Sequence, residues 1–344
     1  MQTVIFQFNL YNNTCNLYKR MARKTILITG ISGFVGGHFS SFILNRRRDW
    51  TIHGISRSYP AWDFLPEVDT ILDAIHFHKS NLLHEKNTNK LVKEIDPDYI
   101  LHLAAFSSVA ESWKEPRAAF LNNTNAFLNL VESVRLNNTH CRILSIGSSE
   151  EYGIVDTKDL PLREFHYNRP SNPYAVARVS QENLSNIYTR GYNLDICCTR
   201  SFNHIGPGQH QKYVVSSIAK QFAEITLKKI APVIKIGNGT IIRDFIDIDD
   251  VIRAYDAIFM HGRRGEVYNV CSGNKYSISK IIRIYSDLQQ IPVRVIQDKN
   301  LVRPIDNPVL FGDYQKLKDH SGWEPVVPIE DSLMKLFDYW SNRL

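Results

Sequence analysis

Between Ile26 and Arg200 the chain alternates short apolar runs with longer stretches of helical spacing. Strands are predicted over 26–29, 51–55, 76–82, 99–105, 142–146 and 195–200. The first helix starts at Phe34-Val35 and runs on through 39–44; another ends over 91–95, and two more cover 118–134 and 174–188. Continuously apolar strands separated by helical segments are the mark of a parallel sheet covered on both faces. Beyond Gly206 the alternation loosens. Helical spacing recurs over 214–228, 251–260 and 329–344, and strand-like runs over 233–236, 267–270 and 293–296.

This pattern predicts an α/β chain. A doubly wound parallel sheet of the Rossmann kind occupies 23–200, with later segments returning to it. A smaller mixed α/β domain over 201–344 would carry the substrate. Residues 1–22 stand outside the repeat and read as an N-terminal extension, with Met21-Ala22-Arg23-Lys24 resembling a start. In the extension the basic residues follow the apolar ones and no small-residue cleavage site appears, so a secretory signal is not expected.

Composition changes this picture little. The 344 residues are 43% hydrophobic, and no apolar run approaches the length of a membrane span. A net charge of +6 is spread along the chain and suits an anionic small substrate. Arg46-Arg47-Arg48 is the densest basic run and is expected to be a solvated helix end, not a nucleic-acid contact. Cys15, Cys141, Cys197, Cys198 and Cys271 have neither metal nor disulfide spacing. A reducing, cytoplasmic setting is the expectation, with Cys197, Cys198 and Cys271 as buried thiols.

The candidate chemistry starts at Gly30-Ile31-Ser32-Gly33-Phe34-Val35-Gly36. A strand, a glycine turn and a helix in that order form a dinucleotide-binding opening. Gly30 would turn the chain, Gly33 would admit a diphosphate, and Gly36 would let the helix pack on the sheet. The amides at Phe34 and Val35 would hold the anion. The second strand ends in Ser56-Arg57-Ser58 with no acidic residue, which tilts the cofactor to NADPH over NADH, because an arginine there accommodates a 2′-phosphate. Asn81 and Leu82 would meet the adenine. Leu103, Ala104 and Ala105 would let a flat ring lie close to the end of the fourth strand.

The second signal is Tyr174-Ala175-Val176-Ala177-Arg178. Tyr174 and Arg178 share a helix face, so the cation can favour the tyrosine's ionised form and let it exchange a proton with a carbonyl. Ser148 and Ser149, after the fifth strand, could hold the same oxygen. No metal ligands are expected.

These motifs resemble the extended branch of the short-chain dehydrogenase/reductase superfamily. Ile146-Gly147-Ser148-Ser149-Glu150-Glu151-Tyr152-Gly153 and the segment Arg200–Gln209, with its His204-Ile205-Gly206-Pro207-Gly208-Gln209, are similar to GDP-4-keto-6-deoxy-D-mannose reductases. So are Arg243-Asp244-Phe245, Val267-Tyr268-Asn269-Val270-Cys271-Ser272-Gly273 and Gly322-Trp323-Glu324-Pro325. The resemblance implies reduction of a C4 ketone on a GDP-sugar to GDP-D-rhamnose, in a homodimer without nucleic-acid or membrane partners. It implies a substrate set of Ser108, Ser148, Asn203, Arg243 and Arg303; the loop setting of His204 reads as a hydrogen-bonded structural histidine. Two features keep rivals open. Ser148-Ser149-Glu150 also fits the acid–base segment of GDP-mannose 4,6-dehydratases and related epimerases. The superfamily pattern is Tyr-x-x-x-Lys, and Arg178 stands at the lysine. Arginine keeps the charge but is longer and forked, which leaves a non-catalytic nucleotide-binding module as the alternative from another class.

Overall fold

The computed structural model describes residues 23–302 and 305–344. The 1–22 extension, with Cys15, and Arg303 lie outside the described residues. The strands are β1 Lys24–Thr29, β2 Trp50–Ser56, β3 Ile75–Lys79, β4 Tyr99–His102, β5 Arg142–Ile146, β6 Asp195–Ser201, β7 Asn203–Ile205, β8 Val233–Ile236, β9 Ile242–Arg243, β10 Phe245–Asp247, β11 Val267–Val270, β12 Tyr276–Ser277, β13 Arg294–Gln297 and β14 Val309–Leu310.

Seven of them form one parallel sheet in the order β11-β6-β5-β4-β1-β2-β3. Ile28 sits opposite Gly54 on one side and Leu101 on the other. The order reverses at β1, with β2 to one side and β4 to the other, so a crevice opens at the carboxyl ends of these strands. Residues of β1 divide between two cores. Ile26 and Ile28 join Phe39, Trp62 and Val251 on one face, and Leu27 joins Ile100, Phe127 and Ile143 on the other. Each such buried side chain contributes roughly 1.5–3 kcal/mol, which explains why these strands read as unbroken apolar runs.

The later chain both joins this sheet and builds a core of its own. β11 is an edge strand of the sheet, and the helix Ile248–His261 packs its Val251, Ile252 and Tyr255 into the same core as Phe39. A separate cluster joins the helices Val214–Thr226, Ile278–Gln289 and Ile329–Ser341 through Ile218, Phe222, Ile281, Tyr285, Leu333 and Leu336. The strand pairs β7–β10 and β8–β13 and the three-stranded β12-β9-β14 accompany it.

Several boundaries differ from the sequence expectation. β4 stops at His102, and Leu103 to Ala105 form a loop, whose Leu103 and Ala104 amides donate to Thr29 O and Thr29 Oγ1. The expected 118–134 helix begins at Pro116, which suits a first helical turn, and passes through a π-helical turn at Leu121–Asn125 before Ala126–Leu136. The last helix ends at Ser341, short of Leu344. Val68–Asp73, Ile278–Gln289 and Gln315–Ser321 are helices that went unassigned. Ile278–Gln289 carries β-branched residues that favour strands, but Ser277 caps it by accepting from the Lys280 amide. Arg47 is not simply solvated: it makes a two-nitrogen pair with Asp256 and lies over Trp50. Cys141, Cys197, Cys198 and Cys271 are buried and free. Among the described residues no helix is long and apolar enough to cross a membrane.

Gly30 is the tightest point of the frame. It lies at φ +69°, its amide donates to Ile55 O at 2.7 Å, and a Cβ there would stand 2.7 Å from the Ala104 backbone nitrogen and Cα. Gly30→Ala therefore adds left-handed strain and pushes the loop after β4 away. Stability should fall by at least about 1–2 kcal/mol, read as a lower denaturant midpoint; an unchanged midpoint would refute the close approach.

Candidate active site

The carboxyl ends of the central strands open into a cleft of about 1180 Å³. Each described residue of the expected site lines it. Gly30, Gly33, Phe34, Val35 and Gly36 come from the glycine loop, Arg57 from the end of β2, and Asn81 and Leu82 from the segment after β3. Leu103, Ala104, Ala105 and Ser108 follow β4, and Ser148, Ser149 and Glu150 follow β5. Tyr174 and Arg178 come from the helix Pro173–Gly191, and Asn203 and Arg243 from the later chain.

At the glycine loop the helix Phe34–Arg46 starts with no side-chain cap and no acidic residue in its first turn. Its first amides therefore point at the cleft with positive partial charge and few internal acceptors. The role expected of Gly36 needs correction. A Cβ there would meet the Ile31 carbonyl oxygen at 2.2 Å, so Gly36 lets the helix sit on its own loop, not on the sheet. Among the described residues, the only acidic side chains lining the cleft are Glu150 and Asp306, neither of them at the Arg57 end. Amide donors, one arginine and no competing carboxylate fit a dinucleotide carrying an extra phosphate.

Tyr174 and Arg178 meet as their spacing requires. Both are almost fully buried, and Arg178 Nε donates to Tyr174 Oη at 3.2 Å. Arg178 Nη1 donates to Ile146 O at 2.7 Å, tying the helix to the end of β5. Two residues on from Ile146, Ser148 Oγ accepts from the Glu150 amide at 3.2 Å, which leaves its own hydrogen for a ligand. Asn172 caps the helix with its carbonyl oxygen and donates its Nδ2 to Glu150 Oε2 at 3.0 Å.

The later chain brings in Asn203, whose side chain is held by Asp244 O, and Arg243. Arg243 is buried and its guanidinium donates to Asn307 O, Ile242 O and the Asp306 carboxylate, so it arrives already oriented. Asp244 fastens this region by accepting from Ser272, Gly273 and Gly312. His204 is half-buried in the cleft wall, and its desolvation there pushes the imidazole down to about 4, so it is neutral. Its Nε2 lies 3.3 Å from Tyr255 Oη. Three contacts were missed from sequence. Ser107 Oγ meets Tyr213 Oη at 2.8 Å, and Lys212 pairs with Glu111 at 3.0 Å, so both link the loop after β4 to the start of the helix Val214–Thr226. The third is Gln181, whose amide oxygen accepts from Arg178 Nη1 at 2.9 Å. Only Gln181 had a sequence signal, its i,i+3 spacing from Arg178.

The sequence profile of the family described as GDP-mannose 4,6 dehydratase matches residues 27–336. The chain is also 31% identical to a GDP-6-deoxy-D-mannose reductase of Pseudomonas aeruginosa, over 93% of this chain and 98% of that one. It belongs to this family of extended short-chain dehydrogenases/reductases. A GDP-mannose 4,6-dehydratase of Yersinia enterocolitica is 26% identical over 90% of this chain and 91% of its own. The solved structure of RMD from Pseudomonas aeruginosa complexed with NADPH superposes with a TM-score of 0.81 at 30% identity, covering 93% of this chain and all of the other. The family thus includes both reductases and dehydratases, and the parallel sheet is common ground.

Behind the Ser148 turn lies a buried charge cluster. Glu151 Oε1 accepts from the Ser148 amide, and Glu182 makes a two-nitrogen pair with Arg200 at 2.8 and 2.9 Å. Burial, and then the neighbouring Glu182 charge, push the Glu151 carboxyl well above the ordinary range, while Arg200 holds Glu182 below it. The wild type therefore keeps a proton on Glu151 and loses stability as pH rises from the ordinary carboxyl range through the raised value. Glu151→Gln keeps the acceptor for Ser148 and removes that loss. The difference in unfolding free energy between variant and wild type should move in the variant's favour from pH 5 to pH 8. A difference that is flat with pH would contradict the proton on Glu151.

Proposed function

We infer that this chain reduces the C4 ketone of GDP-4-keto-6-deoxy-D-mannose to GDP-D-rhamnose with NADPH. One observation carries the chemistry: a buried tyrosine, its hydroxyl held by a buried arginine, lines the same cleft as a glycine loop and the serine turn that follows β5. The identity to the Pseudomonas reductase supports the substrate. When bound, NADPH supplies a hydride to the ketone carbon. Tyr174 Oη gives the ketone oxygen its proton, so that carbon and oxygen together gain the two hydrogens of the product alcohol. Ser148 Oγ donates to the same oxygen, and Ser149 follows it in the wall of the cleft. Arg178 holds positive charge beside the developing tyrosinate. The amides at Phe34 and Val35 take the cofactor diphosphate, and Arg57 its 2′-phosphate. Asn203 and Arg243 take the sugar-nucleotide diphosphate and ribose.

We further place the nucleotide sugar mainly against 201–344 and the cofactor against 23–200, and the enzyme in the cytoplasm, where its free thiols would stay reduced. A homodimer is supported by the packed helix pair 116–136 and 173–191. Phe120, Leu121, Val176 and Ile187 there are exposed, at 42–59%. Val176 and Ile187 stand three turns apart on one helix face, an apolar surface suited to a second copy.

Glu150 favours a second reading. Its carboxylate lines the cleft and is steadied by Asn172, as a 4,6-dehydratase would require of a base at C5. That enzyme would restore its cofactor in each turnover.

Two variants test these assignments. Tyr174→Phe should lower kcat at least about 100-fold and leave NADPH binding, read by nicotinamide fluorescence, little changed; a near-normal rate would remove Tyr174 from the chemistry. Ile187→Arg should shift the protein in light scattering from the mass of two chains to that of one. An unaltered mass would rule this face out as the dimer contact.

A further inference from the structure

We propose that Gln181 is the positioning residue of the Tyr174–Arg178 pair: it fixes which guanidinium nitrogen meets the tyrosine and which is turned to the cleft. The inference rests on the reductase reading above. A guanidinium has three nitrogens, five hydrogens and no acceptor. Here Nε serves Tyr174 Oη, at 3.2 Å, and Nη1 spends both hydrogens, on Ile146 O at 2.7 Å and Gln181 Oε1 at 2.9 Å. Nη2 has no hydrogen-bond partner among the described residues, and Arg178 lines the cleft.

The amide of Gln181 has no freedom to turn over. Its Nε2 donates to Ser145 Oγ at 2.8 Å and to Ile146 O at 3.2 Å. Arg178 can only donate, so the carboxamide oxygen must face it. Gln181 is 1% exposed and does not line the cleft, so it acts through Arg178 alone. One acceptor would hold the guanidinium at a point and leave it free to rotate. A second acceptor fixes its plane, and with it the direction of the Nε hydrogen toward Tyr174. Because Ser145 and Ile146 end β5, the same knot fixes the tyrosine relative to Ser148. An arginine at 178 thus comes with the partner that its fork needs.

The test compares wild type, Gln181→Leu and Gln181→Glu in NADPH oxidation with GDP-4-keto-6-deoxy-D-mannose, alongside thermal melting. In Q181L, kcat should fall about 10–100-fold, while KM for the sugar nucleotide and Kd for NADPH stay within about twofold. Deuterium at the transferred position of NADPH should slow Q181L more than wild type, because the chemical step has become limiting. Q181E keeps an acceptor for Nη1 but replaces the Nε2 donor only as a protonated carboxyl, so its kcat should lie above that of Q181L and rise toward wild type as pH is lowered; it also carries the test if Q181L does not fold. A folded Q181L with a normal rate would overturn the proposal. So would equal losses in both variants with an unchanged isotope effect, which would mark plain packing. An inactive wild type defeats the reductase reading itself and this inference with it, whereas an active wild type beside an undisturbed Q181L defeats this inference alone.

Discussion

The bond from the Arg178 guanidinium to the Ile146 carbonyl holds this active site together. A cation that is 4% exposed must find acceptors inside the protein, because a buried charge without them costs several kcal/mol. The last carbonyl of β5 is one, Gln181 another, and the Tyr174 hydroxyl a third. Satisfying the arginine therefore draws the helix Pro173–Gly191 onto the end of β5. It leaves the tyrosine and the Ser148 turn lining the same cleft. The parallel sheet makes the crevice, and the buried cation decides which groups look into it.

The remainder of the cleft divides by charge. Toward the glycine loop stand backbone amides and Arg57, and toward the later chain Asn203 and the pre-oriented Arg243. Both ends are ready for phosphate, which agrees with a reaction between two dinucleotide-like molecules laid across a single ketone. Of the carboxylates behind this region, Glu182 is held in an ion pair with Arg200, and burial pushes the Glu151 carboxyl toward its neutral form. Glu150, held by Asn172, stands in the cleft wall and keeps the dehydratase chemistry of the family within reach of this fold.

Much of this frame was legible in the residues. Strand β5 and the helix start at Phe34 lie where the apolar pattern put them, because strands buried on both faces must be apolar throughout. The glycine loop, the Tyr174–Arg178 spacing and the bare Arg57 are local signals, and they come together in one cleft. What escaped depends on distant pairing. The end of β4 at His102 is set by the Thr29 side chain, and the grip on Arg243 comes from residues more than sixty positions away. Gln181 lay in view, but its meaning needed Ser145 and Ile146 beside it. Gly36 was read as a contact with the sheet because a glycine in a helix names no partner; its neighbour proved to be Ile31.

The most direct test of the central claim is the nicotinamide absorbance of NADPH, followed with the purified protein and freshly made GDP-4-keto-6-deoxy-D-mannose. The account predicts loss of one NADPH for each sugar reduced, with GDP-D-rhamnose identified by NMR as the product. Constant absorbance with this ketone, or loss of water from GDP-mannose with no net NADPH consumed, would contradict it.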